Sequence, residues 1–374
     1  MSDAESVAVE SLHRARRGPA KTGQANVADI ARLAGVSTAT VSRVMRGNGN
    51  VSKATRDKVL KVVDELGYVP NAHALALTTP PNSVTMVVRA ITGGTYADIM
   101  SGVERESSDR DMTFRLISTG RKAGGLARVV RDLISQRPKV AVMLADAATD
   151  REQDEVLNAS IDQFSSVGTK VVVAGRPRLT LASEVGVIDY ANEQGIHDMT
   201  AYMIKQGHRR FLFAGKAEMS SVFAARYRGF RRALEEAGLE HDPRFDIVRS
   251  DDRKANVSAL VDAYAAGARF TAIVASTDAL ALDMIVGLRT LGLSVPGQVS
   301  VSGFDDMPYA EDLMVPLSTV HVPFTELGQM AVRAGLGEEP GDLLLPTHLT
   351  IRQSIQPPDP DASAGIAGVG GWAL

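Results

Sequence analysis

The run Val27-Ala28-Asp29-Ile30-Ala31-Arg32-Leu33-Ala34-Gly35-Val36-Ser37-Thr38-Ala39-Thr40-Val41-Ser42-Arg43-Val44 decides the architecture of the N-terminal part of this 374-residue chain. Val27, Ile30, Ala31 and Ala34 recur at i, i+3, i+4 and i+7, one apolar face of a helix, behind Asn26 as N-cap. Gly35 ends that helix, and Ser37 caps a second that runs to about Met45. A third follows Ser52, with Val59, Val62, Val63 and Leu66 as its apolar stripe before Gly67. With roughly 100° per residue, the second helix gathers Thr38, Ala39, Ser42, Arg43 and Arg46 on one arc and Val41, Val44 and Met45 on the other.

Such a helix packs one side and offers the other to base edges. Ala39 lets the backbone approach a groove, Thr38 suits a thymine methyl or a hydrogen bond, and Arg43 matches guanine O6 and N7 bidentately. Ser52, Lys53 and the third helix's N-terminus suit phosphate. On these residues alone, a small three-helix bundle with a solvated basic face fits the same pattern.

Charge is distributed unevenly. Residues 1–80 carry 11 Lys and Arg against 7 Asp and Glu, the remainder 30 against 37, so a basic module is joined to an acidic one. The absence of cysteine excludes disulfides, thiolate metal sites and cysteine nucleophiles, in keeping with a reducing compartment. No apolar run reaches the roughly 20 residues that span a bilayer, and Met1–Gly23 lacks a signal-peptide core, so a cytoplasmic protein without a membrane partner is expected. The seven histidines show no metal-ligand spacing, and Walker, G-x-G-x-x-G, G-x-S-x-G and H-E-x-x-H motifs are missing. An enzyme, a cofactor and a metal are therefore not expected.

From about Val84 short apolar runs (84–90, 112–118, 139–145, 170–174, 211–214, 245–249, 271–275 and 299–304) alternate with helical stretches (96–109, 192–206, 222–237, 254–267 and 279–291). This β/α alternation predicts parallel sheets in two lobes with a cleft. Polar residues cluster where strands should end: Thr95 and Tyr96, Asp251 and Asp252, Thr277 and Asp278, and Asp305, with Arg226 on the same rim. An Arg facing carboxylates suits a polyol whose hydroxyls both donate and accept. A structural ion pair between Arg226 and Asp305 is the competing reading.

The opening run, with Val51-Ser52, Thr55-Arg56 and Leu66-Gly67-Tyr68-Val69-Pro70-Asn71, resembles the headpiece of the lactose-repressor family (LacI/GalR). The likeness continues to about Ile355 through Arg226-Tyr227-Arg228-Gly229-Phe230, Ser276-Thr277-Asp278-Ala279 and Val301-Ser302-Gly303-Phe304-Asp305-Asp306. The resemblance implies a helix-turn-helix headpiece (26–70), a hinge-helix linker (71–83) and a two-lobed α/β periplasmic-binding-protein-like domain (84–355). Residues 1–25 and 356–374 read as disordered tails.

It also implies a homodimer on near-palindromic double-stranded operator DNA, acting as a repressor and controlled by a small-molecule effector between the lobes. Asn71 belongs to the resemblance, and Leu77 matches the position that wedges into the minor groove. Tyr96, Arg226, Asp252, Thr277, Asp278 and Asp305 become effector contacts. The C-terminal segment holds a single leucine, which fits dimers rather than the heptad-linked tetramers known in the family. Five departures mark this chain: Gly93-Gly94-Thr95-Tyr96 stands where Asn-Pro-Phe-Phe is common, Asp252 roughly where an aromatic often stacks on the ligand, Gly175 where an acid is usual, Tyr190 where Asn is usual, and Thr277 where Asn is usual.

Overall fold

The computed structural model describes residues 26–45, 51–68, 82–89, 94–120, 124–145, 150–217 and 219–359. The chain divides into two compact units, Met1–Thr79 and Pro80–Leu374.

In the first unit three helices form, α1 (Val27–Ala34), α2 (Thr38–Met45) and α3 (Lys53–Glu65). Each starts at a side-chain cap. Asn26 and Asp29 make a reciprocal capping box on α1, Ser37 Oγ accepts from Thr40 N at 3.1 Å, and Ser52 Oγ accepts from Thr55 N at 3.3 Å. Gly35, at φ 61°, takes the left-handed conformation that turns the chain from α1 into α2. Ile30, Ala31, Ala34, Val41, Val44, Val59 and Val62 close into one small core.

The second unit holds two parallel sheets. Its N-terminal lobe contains β1 (Ser83–Val88), α4 (Gly94–Ser108), β2 (Thr113–Ser118), α5 (Gly125–Gln136), β3 (Val140–Leu144), α6 (Asp150–Asn158), α7 (Ile161–Ser166), β4 (Lys170–Ala174) and β5 (Gly186–Tyr190). The C-terminal lobe follows with α8 (Asn192–Lys205), β6 (Phe211–Lys216), α9 (Ser221–Glu236), β7 (Ile247–Val248), α10 (Arg253–Ala265), β8 (Ala272–Ala275), α11 (Asp278–Thr290), β9 (Ser300–Ser302), α12 (Tyr309–Asp312) and β10 (Thr319–His321). The chain then makes α13 (Phe324–Leu336), β11 (Asp342–Leu345) and β12 (His348–Thr350).

Strand order is β11-β5-β4-β3-β1-β2 in one sheet and β7-β6-β8-β9 in the other. Strands β1 and β3 are buried along their whole length, as expected when helices cover both faces of a parallel sheet. After β5 the chain passes to α8, which packs on α9. After β10 it returns as α13 against α4 and β4, and after β11 it leaves again to pair β12 with β10. Three crossings therefore join the lobes and flank the cleft. Tyr190, Phe304 and Phe324 meet there, with Tyr190 ring centroids 6.4 Å from Phe304 and 5.7 Å from Phe324, so one apolar core runs from lobe to lobe.

The α4–α13 crossing depends on glycine. A Cβ on Gly102 would sit 2.0 Å from Thr325 O, and one on Gly328 2.2 Å from Ile99 O, so these backbones touch directly. At the C-terminal end, order extends past the expected boundary at Ile355. Gln356 N donates to Ser300 Oγ at 3.1 Å, and its carbonyl lies 3.0 Å from His208 Nε2, which ties residues 356–359 to the lobe.

Candidate functional site

In the headpiece, Val41 and Val44 point into the core, while Thr38, Ala39 and Arg43 are exposed and Ser42 is half-buried. The 3.6-residue period alone produces this division, because the two valines are three apart and bind α2 to α1 and α3. Ser52 and Lys53 are exposed at the start of α3, with the Ser52 hydroxyl occupied by its cap. Arg46, Asn71 and Leu77, and with them residues 71–81 of the linker, lie outside the described residues, while Ser83, the last linker position, opens β1.

In the second unit a cavity of about 470 Å³ opens between the lobes. Its floor is Arg226, one turn into α9, whose N-terminus Ser220 caps. Nε donates to Asn192 Oδ1 at 2.9 Å, Nη1 to Ser276 O, and Nη2 to Tyr190 Oη at 3.0 Å and Asp305 Oδ1 at 3.3 Å. The guanidinium lies 3.8 Å above the Phe304 ring. Such a fully engaged cation is rigid, and the groups it holds, Tyr190 Oη and the Asp305 carboxylate, line the cavity.

Asp305 reaches this place through an unusual backbone, φ 111°, followed by Asp306 at φ 56°. For a residue with a Cβ this costs on the order of 1–3 kcal/mol, a cost typically met where a side chain must be aimed. Burial pushes its carboxyl up to about 6, although Arg226 pulls the other way. Burial, reinforced by the Asp305 charge, raises Asp278 to about 7. Burial also lifts Asp189 to about 6 and the Tyr190 phenol above its ordinary range.

Two expected contacts are corrected. Asp252 is the N-cap of α10, its carboxylate accepting from Lys254 N at 2.9 Å, and it does not line the cavity. A carboxylate satisfied by a helix end is spent on structure. Asp278 lies behind the cavity wall, where Oδ2 accepts from Met307 N at 2.7 Å and Oδ1 from Thr319 Oγ1. It braces the turn that aims Asp305. Tyr96, Thr277, Arg226 and Asp305 do line the cavity.

Among the lining residues that were not foreseen are Phe223, Arg249, Tyr309 and Phe324. Phe223 lies one turn before Arg226 on α9, a spacing that could have exposed it. Phe324 opens α13 just after the three-residue strand β10, which carries no readable period. Across the cleft mouth, Asp150 Oδ2 accepts from Ser221 N at 2.8 Å and from Ser221 Oγ, joining the first turns of α6 and α9. Arg176, buried beside Asp150 at 3.6 Å, also pairs with Asp154. It fixes the start of α6.

Residues 26–71 match the family described as "Bacterial regulatory proteins, lacI family", and residues 200–355 match "Periplasmic binding protein-like domain". The HTH-type transcriptional regulator CelR of Thermobifida fusca is 32% identical over 338 residues, which is 87% of this chain and 96% of CelR. The chain belongs to the LacI family. The HTH-type transcriptional repressor PurR of Vibrio vulnificus is 30% identical, covering 82% of the chain and 90% of PurR. Among solved structures, a CelR–cellobiose complex superposes with a TM-score of 0.64 at 30% identity, over 88% of this chain and 99% of that one. The lac repressor dimer bound to operator and the anti-inducer ONPF gives a TM-score of 0.75 at 21% identity, over 89% and 100%, a likeness of fold.

As in other LacI-family chains, a helix-turn-helix unit is followed by a periplasmic-binding-protein-like unit with parallel sheets. No described helix is long and apolar enough to cross a membrane.

Proposed function

We infer that this LacI-family chain is a cytoplasmic, sequence-specific transcription repressor. It acts as a homodimer on near-palindromic operator DNA and is controlled by a small molecule held between its lobes. The cavity built on Arg226, Tyr190 and Asp305 carries the effector reading, because a rigid Arg, a strained carboxylate and a phenol converge on one space lined by aromatic rings. Thr38, Ala39, Ser42 and Arg43 are the base-reading surface, with Ser52 and Lys53 on phosphate. Arg46 is assigned to the same DNA by its place on the polar arc of the second helix, and Asn71 and Leu77 by family likeness.

Tyr96, Thr277, Arg226 and Asp305 contact the effector, and Asp278 supports them. No catalytic role, cofactor or metal is assigned. Residues 26–70 serve as headpiece, 71–83 as linker, and the lobes from residue 84 onward as effector domain.

The test is Asp305→Ala, with full-length protein titrated on operator fragments selected from random DNA. Unliganded operator affinity should stay within about threefold, since the headpiece is intact, while the effector response disappears. A response equal to the parent's would remove the cavity from the account.

A further inference from the structure

Where the chain crosses between the lobes, β10 and β12 pair antiparallel, and His321 stands directly opposite His348. Strand β10 leads into α13 and β12 follows β11, so this short ladder ties two of the three crossings together. The two imidazoles lie with ring centroids 4.5 Å apart and planes inclined by 31°. Thr319, His321, His348 and Thr350 share one face of the ladder, while Val320, on the other face, lies against Gly195 of α8.

Packing does not account for the pair. His348 is exposed, and His321 keeps 38% of its side chain open to solvent. His321 Nδ1 donates to Asp306 Oδ2 at 2.9 Å, and that carboxylate is itself fixed by Arg352 Nη2 at 2.8 Å and Thr350 Oγ1 at 3.2 Å. A carboxylate on Nδ1 places the proton there and leaves the Nε2 lone pair open, which is how metal-ligating histidines are oriented. The His348 ring, held among the described residues by the stack alone, is free to turn toward the same point.

We propose that His321 and His348 bind one late first-row divalent cation of the nickel, copper or zinc kind, with water completing the coordination. The ligand type selects these ions, because imidazole suits them whereas Mg²⁺ demands oxygen. The separation is compatible. An imidazole centroid lies about 3.2 Å from an ion bound at about 2.0–2.1 Å, so two rings on one ion stand about 4.5–5.2 Å apart at ligand angles of about 90–109°. Binding asks the rings to splay from their stacked tilt, which the exposed His348 permits. Among the described residues no group of three His, Asp or Glu side chains gathers for an ion, so the site stays open to water. The two histidines are far apart in sequence and only the ladder joins them, which is why spacing gave no metal signal.

The position gives the ion a consequence. His321 is bridge-paired with Asp305, and Asp305 N donates to Val320 O at 2.9 Å. An ion held between β10 and β12 therefore clamps two crossings beside the turn that aims Asp305, whatever effector fills the cleft.

Calorimetry on the full-length protein, with NiCl2, ZnCl2 and MgCl2 as probes, tests this. Ni²⁺ and Zn²⁺ should bind at a site that His321→Gln or His348→Gln weakens at least tenfold, and Mg²⁺ should not compete. His348 is exposed, and a Gln at 321 still donates to Asp306, so both variants should keep the parent's urea midpoint. His197→Gln alters the histidine paired with Asp198 and Glu236, and it should bind like the parent. Lowering the pH from about 7.5 to about 5.5 should weaken binding at least tenfold, because protons compete for the same lone pairs. Ni²⁺ should also slow amide hydrogen exchange in β10 and β12 of the parent but not of His348→Gln. Failure of both ions to bind, binding that survives both substitutions or is removed by His197→Gln, or exchange unchanged by Ni²⁺ overturns the proposal.

Discussion

Buried carboxylates around one turn set how this protein responds to acid. Asp278 and Asp305 have folded values of about 7 and about 6 against an ordinary 3.8, so the folded state holds their protons more tightly than the unfolded chain does. Their linked contribution to stability is therefore present at low pH and is lost as pH rises from about 4 to about 7. Asp278→Asn keeps the shape, since an amide can accept from Met307 N and donate to Thr319 Oγ1, but it removes one of the two titrations. Relative to the parent, the variant should gain stability as pH rises from about 4 to about 7, by up to about 1.4 kcal/mol per pH unit. Urea midpoints across that range measure it, and parallel curves for the two proteins would refute it. At the other end of the chain, Arg43 is exposed on α2 beside Ala39. Arg43→Ala should cost about 1–3 kcal/mol on the operator and relax preference at one base pair per half-site, with far less change on random DNA. Binding to a set of single-base operator variants reads this out, and a uniform loss on all of them would make Arg43 a phosphate contact.

At the scale of elements, the helices of the headpiece were legible because period and caps agreed. Asn26, Ser37 and Ser52 each cap as their position suggests, and Val41 and Val44 are buried as the 3.6 period requires. The strands from β1 to β9 were also largely legible as apolar runs, with β5 the exception. Gly186-Val187-Ile188-Asp189-Tyr190 mixes a glycine and an acid into a strand, and its burial comes from neighbours distant in sequence. The same holds for β10, β11 and β12, which are three or four residues long. Missing them hid the crossings and, with them, Phe324. Asp252 and Asp278 misled for a related reason, because position after a strand does not tell a ligand contact from a helix cap or a brace. The α4–α13 crossing was equally invisible, since close approach is a property of two helices. Gly328→Ala places a methyl 2.2 Å from Ile99 O, and the backbones must separate. A loss of roughly 1–3 kcal/mol is expected, read as a lower urea midpoint with unchanged headpiece function, and an unchanged midpoint would show that the crossing relaxes freely.

For the whole molecule, the two lobes meet through Asp150 and Ser221 at the cleft mouth, and the groups that define the cavity come from both. A ligand that fits the closed cleft binds with an affinity reduced by whatever fraction of the protein is open. Ser221 does not line the cavity, so Ser221→Ala leaves every lining group in place while removing the hydroxyl bond to Asp150. The variant should bind effector several-fold more weakly and show a larger radius of gyration by small-angle scattering when unliganded. Equal affinity and equal scattering would show that this contact does not govern closure. The same logic extends to the headpiece. If effector changes operator affinity by some factor, operator must change effector affinity by that factor, because both are legs of one thermodynamic cycle. Calorimetric titration of effector into free protein and into the operator complex should therefore give a ratio of dissociation constants equal to the ratio seen when operator is titrated with and without effector. In Arg226→Ala both ratios should fall to one together, since the anchor that distinguishes the states is gone. A variant that loses effector binding to the free protein yet keeps an effector-dependent change on DNA would place the controlling site outside this cleft.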